Sequence, residues 1–107
     1  MKNVKFLLEL QMNESIETLE TSLSHIQNYT SHTNEILKHG EVDLGFEGVP
    51  FVVNSKKLNE MIQTEVEFIE DFSSALLEEV LVEEQSNIQK IIEEAKKLAK
   101  EYEQAVL

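Results

Sequence analysis

GEVDLGFEGVPFVV, residues 40–53, contains all three glycines and the only proline of a 107-residue chain. Long stretches without either residue flank it, so its reading decides how two helix-like halves are joined. Val42, Leu44 and Phe46 alternate with Asp43 and Gly45. After Glu47-Gly48, Val49, Phe51 and Val53 alternate with Pro50 and Val52. Two alternating runs around a Glu-Gly pair predict an antiparallel β-hairpin over about 41–53, with Gly48 supplying a positive φ. Pro50 has no N–H to give to a ladder, which places its strand at an edge or a bulge. A lone hairpin is marginal in water and needs a third strand or a covering helix.

The stretch VKFLLELQM, residues 4–12, offers the third strand. Val4, Phe6, Leu8, Leu10 and Met12 alternate with polar residues, Leu7 being the exception. A helical reading gathers Val4, Leu7, Leu8 and Met12 but puts Phe6 and Leu10 on the wrong face. The period of two fits better, and it predicts an N-terminal strand over about 3–12 that can join the hairpin. Asn13 or Ser15 then offers a helix N-cap, with Glu14 and Glu17 in the first turn.

From there Ile16, Leu19, Leu23, Ile26, Thr30, Thr33 and Leu37 fall at alternating steps of three and four, a heptad seam with threonines in its middle. Lys38, His39 and Gly40 form a stop signal. Asn54 or Ser55 caps the next helix, whose stripe is Leu58, Ile62, Val66, Ile69, Phe72, Leu76 and Val80. Met61, Phe68, Ala75, Leu77 and Leu81 widen that stripe, so it faces more than one neighbour. Ser86 and Gln89 match a capping box, and Ile88, Ile91, Ala95, Leu98, Tyr102 and Ala105 form a second heptad. Residues 55–106 are then either one helix of roughly 75 Å or two helices meeting near residue 85. The fold class expected is α+β, predominantly α-helical, in a single domain over residues 1–107.

Twenty-one acidic against nine basic residues give a formal net charge of −12. Such a field repels nucleic acid and anionic membrane and attracts basic protein surfaces. Residues 58–89 contain no Lys or Arg. No apolar run approaches the roughly 20 residues that span a bilayer. Glu9 and Gln11 interrupt the one segment resembling a signal peptide, and the chain is expected to be cytoplasmic. With no cysteine there is no disulfide, thiolate metal site or Cys nucleophile.

Candidate chemistry is sparse. His25, His32 and His39 are seven residues apart, about 10.5 Å of helix, so one metal cannot bridge two of them within one helix. The plain reading is surface histidines; an inter-chain metal or pH-sensitive contact is the alternative. Paired carboxylates such as Glu70-Asp71 and Glu93-Glu94 lack the enclosure that separates catalytic pKa values. No phosphate-binding loop, nucleophile elbow or EF-hand pattern occurs. The expectation is no enzyme activity, no cofactor and no metal.

What is left is an acidic module for protein–protein interaction: an adaptor, assembly subunit or small inhibitor docking through an apolar helical face. The expected partner-binding residues are Phe68, Phe72, Leu76, Leu81, Ile88, Ile91, Leu98 and Tyr102, rimmed by Glu78, Glu79, Glu83 and Glu84. The second half offers more apolar surface than one helix over 14–39 can cover, which predicts a homodimer or hetero-complex. One alternative is a DNA mimic inhibiting a nucleic-acid-binding host protein, of the kind phages use against host defence. Six of the nine basic residues in the second half dilute that mimicry. A second alternative is a structural coiled-coil subunit.

Overall fold

The computed structural model describes residues 2–78 and 82–107, and only the backbone of residues 2–10, 82 and 83. In chain order the elements are α1 (Lys2–Thr30), α2 (Thr33–His39), β1 (Glu41–Asp43), β2 (Val52–Asn54), α3 (Ser55–Leu77) and α4 (Val82–Val106). The chain is 79 % helical, with one two-stranded antiparallel sheet. Helices α1, α3 and α4 each pack on the other two, and α2 and the hairpin close one end of that bundle.

The N-terminal strand expected over 3–12 is not formed: α1 begins at Lys2 and runs through it. Two physical terms outweigh the alternation. No strand is available to pair with, since the sheet contains β1 and β2 alone among the described residues. Leu, Lys, Glu, Gln and Met are also good helix formers, and extending an existing helix carries no nucleation cost. Asn13 and Ser15 therefore lie inside the helix. Downstream, the hydroxyls of Thr18, Thr21 and Ser24 bond the carbonyls of Glu14, Glu17 and Glu20 four residues back. Residues that often cap helices are here accommodated within one.

The helix expected over 14–39 breaks after Thr30. The hydroxyl of Thr30 takes the Ile26 carbonyl at 2.9 Å, that of Ser31 the Asn28 carbonyl, and that of Thr33 the Thr30 carbonyl at 2.6 Å. The backbone tightens to an i→i−3 bond from His32 N–H to Tyr29 O. Helix α2 restarts with its phase shifted, burying Ile36 and leaving Leu37, the expected seam residue, exposed. Gly40 ends it as expected, at φ 78°, with its N–H on the Ile36 carbonyl.

The second half is two helices. α3 ends at Leu77 and α4 starts at Val82, earlier than the expected junction near 85, so Ser86 and Gln89 are interior residues rather than a capping box. The expected cap at Asn54 is formed: its side chain accepts from Lys57 N–H at 2.8 Å. The core joins Leu19 and Ile26 of α1, Leu58, Ile62, Val66 and Ile69 of α3, and Ile88, Ile91, Ala95, Ala99 and Tyr102 of α4. The small side chains of Ala95 and Ala99 let α4 approach the other two helices closely. Tyr102 then donates its hydroxyl to Ser55 O at 2.9 Å, tying the end of α4 to the start of α3. Burial pushes this phenol above its ordinary value.

Two substitutions separate packing from polar anchoring. Tyr102→Phe keeps the ring and loses one hydrogen bond, with an expected cost of about 0.5–1.5 kcal/mol in urea unfolding. Ile62→Ala, at a fully buried site, is expected to cost about 2–5 kcal/mol. A Tyr102→Phe loss as large as that of Ile62→Ala would contradict this division.

Candidate functional site

The hairpin is the element that leaves the bundle. Its ladder pairs Glu41 with Asn54, Val42 with Val53 and Asp43 with Val52, and the same register returns at Phe46 and Val49, which exchange two backbone bonds of 3.1 Å. The expected Glu47-Gly48 turn is formed. Both residues have positive φ, 52° and 80°, the signature of a type I′ turn whose twist matches the strands. Glu47 adopts this region without glycine's freedom, a departure from the expectation that Gly48 alone would. The register puts Pro50 opposite Gly45 at a position whose N–H would point away from the partner strand, so the missing donor costs the ladder nothing.

Asp43 organises the loop above it. Its Oδ1 accepts from Gly45 N–H at 2.7 Å and from Phe51 N–H at 2.9 Å, while Leu44 N–H reaches the Phe51 carbonyl at 2.8 Å. The carboxylate thus takes up a ladder donor. These two bonds to the ionised form, led by that from Phe51, hold its pKa below the usual carboxylate value of 3.8. Gly45 is required for another reason: a Cβ there would meet the Val49 carbonyl oxygen at 2.4 Å and Asp43 Oδ1 at 2.8 Å.

Pairing in this register places Val42, Val53, Leu44, Phe51, Phe46 and Val49 on one face. At its base Val42 and Val53 are buried in the bundle core, and Leu44 is half-buried. Further out the same face has no cover: Phe51 is 48 % exposed, Val49 67 % and Phe46 78 %. An apolar stripe therefore runs from the core into solvent. Its neighbours in the segment are Glu41, Asp43 and Glu47, with no Lys or Arg between residues 40 and 54. The sequence predicts this hairpin and a third strand or a helix to cover it; helices cover only its base, and the tip is left exposed.

The expected helical face is placed differently. Ile88, Ile91 and Tyr102 are buried in the chain's own core, between α1 and α3. The surplus of apolar surface that pointed to a second chain does not exist for these residues, because α1, through Leu19 and Ile26, and α3 together enclose them. Leu76 and Phe72 are half-buried, and Phe72 stacks on Phe68 with centroids 5.4 Å apart. Leu98 lines a shallow groove of about 410 Å³ with Gln27, Thr30 and Glu101. Glu78 is exposed and Glu84 half-buried, bonding Asn87 at 3.0 Å. Glu79 and Leu81 lie outside the described residues, as does the side chain of Glu83.

The histidines do not converge. His25 Nδ1 lies 3.1 Å from Glu65 Oε1, and His32 Nδ1 lies 3.5 Å from Glu35 Oε1. Among the described residues no three His, Asp or Glu side chains group closely enough to hold a metal. Ser22, Glu65 and His25 do meet, with the Ser22 hydroxyl donating to Glu65 Oε2. The carboxylate stands between the other two, so the imidazole is not the base for the hydroxyl that a catalytic triad requires. No helix among the described residues is long and apolar enough to cross a membrane. Compared with known proteins, the chain matches no family model, no curated protein and no solved structure.

Gly45→Ala is expected to dislodge the hairpin at a cost of about 1–3 kcal/mol, as for overpacking, with helical circular dichroism unchanged. Asp43 gives a pH signature. A depressed folded-state pKa contributes stability that is present above pH 3.8 and lost as pH falls through the folded value. The amide NMR signals of Gly45 and Phe51 should hold their shifts below pH 3.8 and then move together. Movement centred at or above that value would remove the clamp.

Proposed function

We propose that the chain is a non-catalytic protein-interaction module that docks a partner through the apolar tip of its hairpin, with Phe46, Val49 and Phe51 as anchors. The observation carrying this reading is the continuity of the stripe: a single face, buried at Val42 and Val53, continues uncovered to Phe46. Soluble proteins seldom leave adjacent aromatic side chains exposed unless something covers them. The type I′ turn and the Asp43 clamp fix the backbone that presents them, which lowers the ordering cost of binding.

Charge selects the partner. Glu47 lies in the turn of the tip and Asp43 directly behind it, and the whole chain has a net charge of −12. A second copy would bring like charges together. An apolar pocket edged by basic side chains satisfies both features. Burying three such side chains contributes about 5–9 kcal/mol gross, against association costs of about 4–15 kcal/mol. The tip alone is then a micromolar or weaker anchor, and tight binding requires it to be the centre of a wider contact.

The expected outcome is that Phe46→Ser with Phe51→Ser abolishes partner capture while leaving the melting temperature within a few degrees. Leu107→Ser, at an exposed apolar residue after α4, should leave capture intact, and capture should persist in about 0.5 M salt, where the Debye length falls to a few Å. If the tip variant captures normally, the hairpin reading fails. If capture instead collapses with salt and survives the tip variant, carboxylates are the recognised feature, as in a DNA mimic.

A further inference from the structure

A second surface on the molecule has a different chemistry. Helices α1 and α3 lie side by side along a groove of about 470 Å³ lined by Thr18, Thr21, Ser22, His25, Thr64, Glu65 and Phe68. Glu65 sits at its floor with its side chain 23 % exposed. A carboxylate so far out of water calls for donors. Ser22, itself almost wholly buried, donates to Oε2, and the half-exposed His25 ring bonds Oε1.

Neither partner cancels the charge permanently: the hydroxyl is neutral, and the imidazole contact is an ion pair only when the ring is protonated. The sequence has no Lys or Arg between residues 58 and 89, and among the described residues no basic side chain bridges to Glu65 other than His25. Two other carboxylates of α3 have a lysine instead: Glu60 faces Lys57, and Glu70 faces Lys96. The charge of Glu65 also acts on its surroundings. Burial, and then this carboxylate, push the Tyr29 phenol above its ordinary value.

One turn along α3, Phe68 is 41 % exposed, its ring stacked on that of Phe72. The hydroxyls of Thr18, Thr21 and Thr64 spend their hydrogens on carbonyls of their own helices, so what they can still give to a ligand is acceptor lone pairs. The groove thus combines a recessed carboxylate whose one basic neighbour is the titratable His25, acceptor oxygens and a partly exposed aromatic ring. A neutral or anionic guest matches none of these together.

We infer that this groove receives an arginine side chain of a protein partner. The guanidinium would meet the free lone pairs of Glu65 and lie against the Phe68 ring. A planar cation suits that pair better than a compact ammonium, because it hydrogen-bonds in its plane and stacks through its face. The site does not depend on the hairpin: it lies on the side of the bundle, and either surface can fail without the other.

The test uses the intact protein, ¹⁵N-labelled, titrated with N-acetyl-arginine amide and in parallel with N-acetyl-citrulline amide, its neutral isostere. A saturable shift confined to Ser22, His25, Glu65 and Phe68 with the arginine compound alone supports the site. Phe68→Leu, at an exposed position, should weaken that binding roughly two- to fivefold. Glu65→Gln, checked for native helicity and melting, should abolish it. If Glu65→Gln does not fold, the citrulline comparison and Phe68→Leu still decide. Shifts of equal size with citrulline, shifts spread over all exposed carboxylates, or no saturation at tens of millimolar would overturn the proposal.

Discussion

The packing of α4 into the crevice between α1 and α3 is the contact on which the rest of this structure depends. Helix pairs bury one stripe each; a third helix is needed to close a core. Ile88, Ile91, Ala95, Ala99 and Tyr102 supply that third side. Without them the broad stripe of α3 would face water on one flank, and the chain would need a second copy. With them, the apolar content of the helices is largely absorbed internally. Polar consequences follow from the same contact. Tyr102 reaches Ser55, the residue directly after β2, so the packing of α4 is transmitted to the base of the hairpin.

The hairpin in turn is a short element held at both levels. Val42 and Val53 root it in the core, and Asp43 with the Glu47-Gly48 turn shapes what lies beyond. A two-stranded sheet has too little area to be stable alone. Helices rather than a third strand cover its base, through contacts of α2 with β1 and α3 with β2. Rigidity at the tip is therefore inherited from the bundle, and the exposed aromatic residues are presented by backbone geometry rather than by packing around them.

Much of this was legible in the residues. The hairpin, its turn, the Gly40 stop, the Asn54 cap and the buried stripe of α3 all follow from local chemistry that tertiary structure did not oppose. Three readings failed, two of them because they turned on what was available to pack against. Alternation over 4–12 fits a strand, but no strand stands beside it. Thr30 and Thr33 sat on a seam that ends where the backbone tightens at His32 and the hydroxyls of Ser31 and Thr33 take carbonyls three residues back. Ile88, Ile91 and Tyr102 look in sequence like surface in search of a partner, because no local pattern shows that α1 and α3 close over them from two sides. The Glu65 groove was invisible for a related cause: it joins residues some 40 positions apart, which no local pattern links.

The two uncovered features have opposite chemistry, and the charge of the chain explains how they can coexist. An apolar tip on a neutral molecule invites self-association through the same tip. On a chain of net charge −12, with Glu47 in the turn and Asp43 behind it, two tips repel as they approach. Exposed charges are screened beyond about 10 Å at 0.1 M salt, yet within a contact they are not. Repulsion is thus concentrated at the distance where the tip would stick to its own kind. A basic-edged apolar surface meets attraction at that distance instead, and the recessed Glu65 offers such a partner a second contact with the same sign of preference. On the reading proposed above, acidity acts as a selector: it leaves the apolar stripe free to be covered while disfavouring the one partner always present, another copy of the chain.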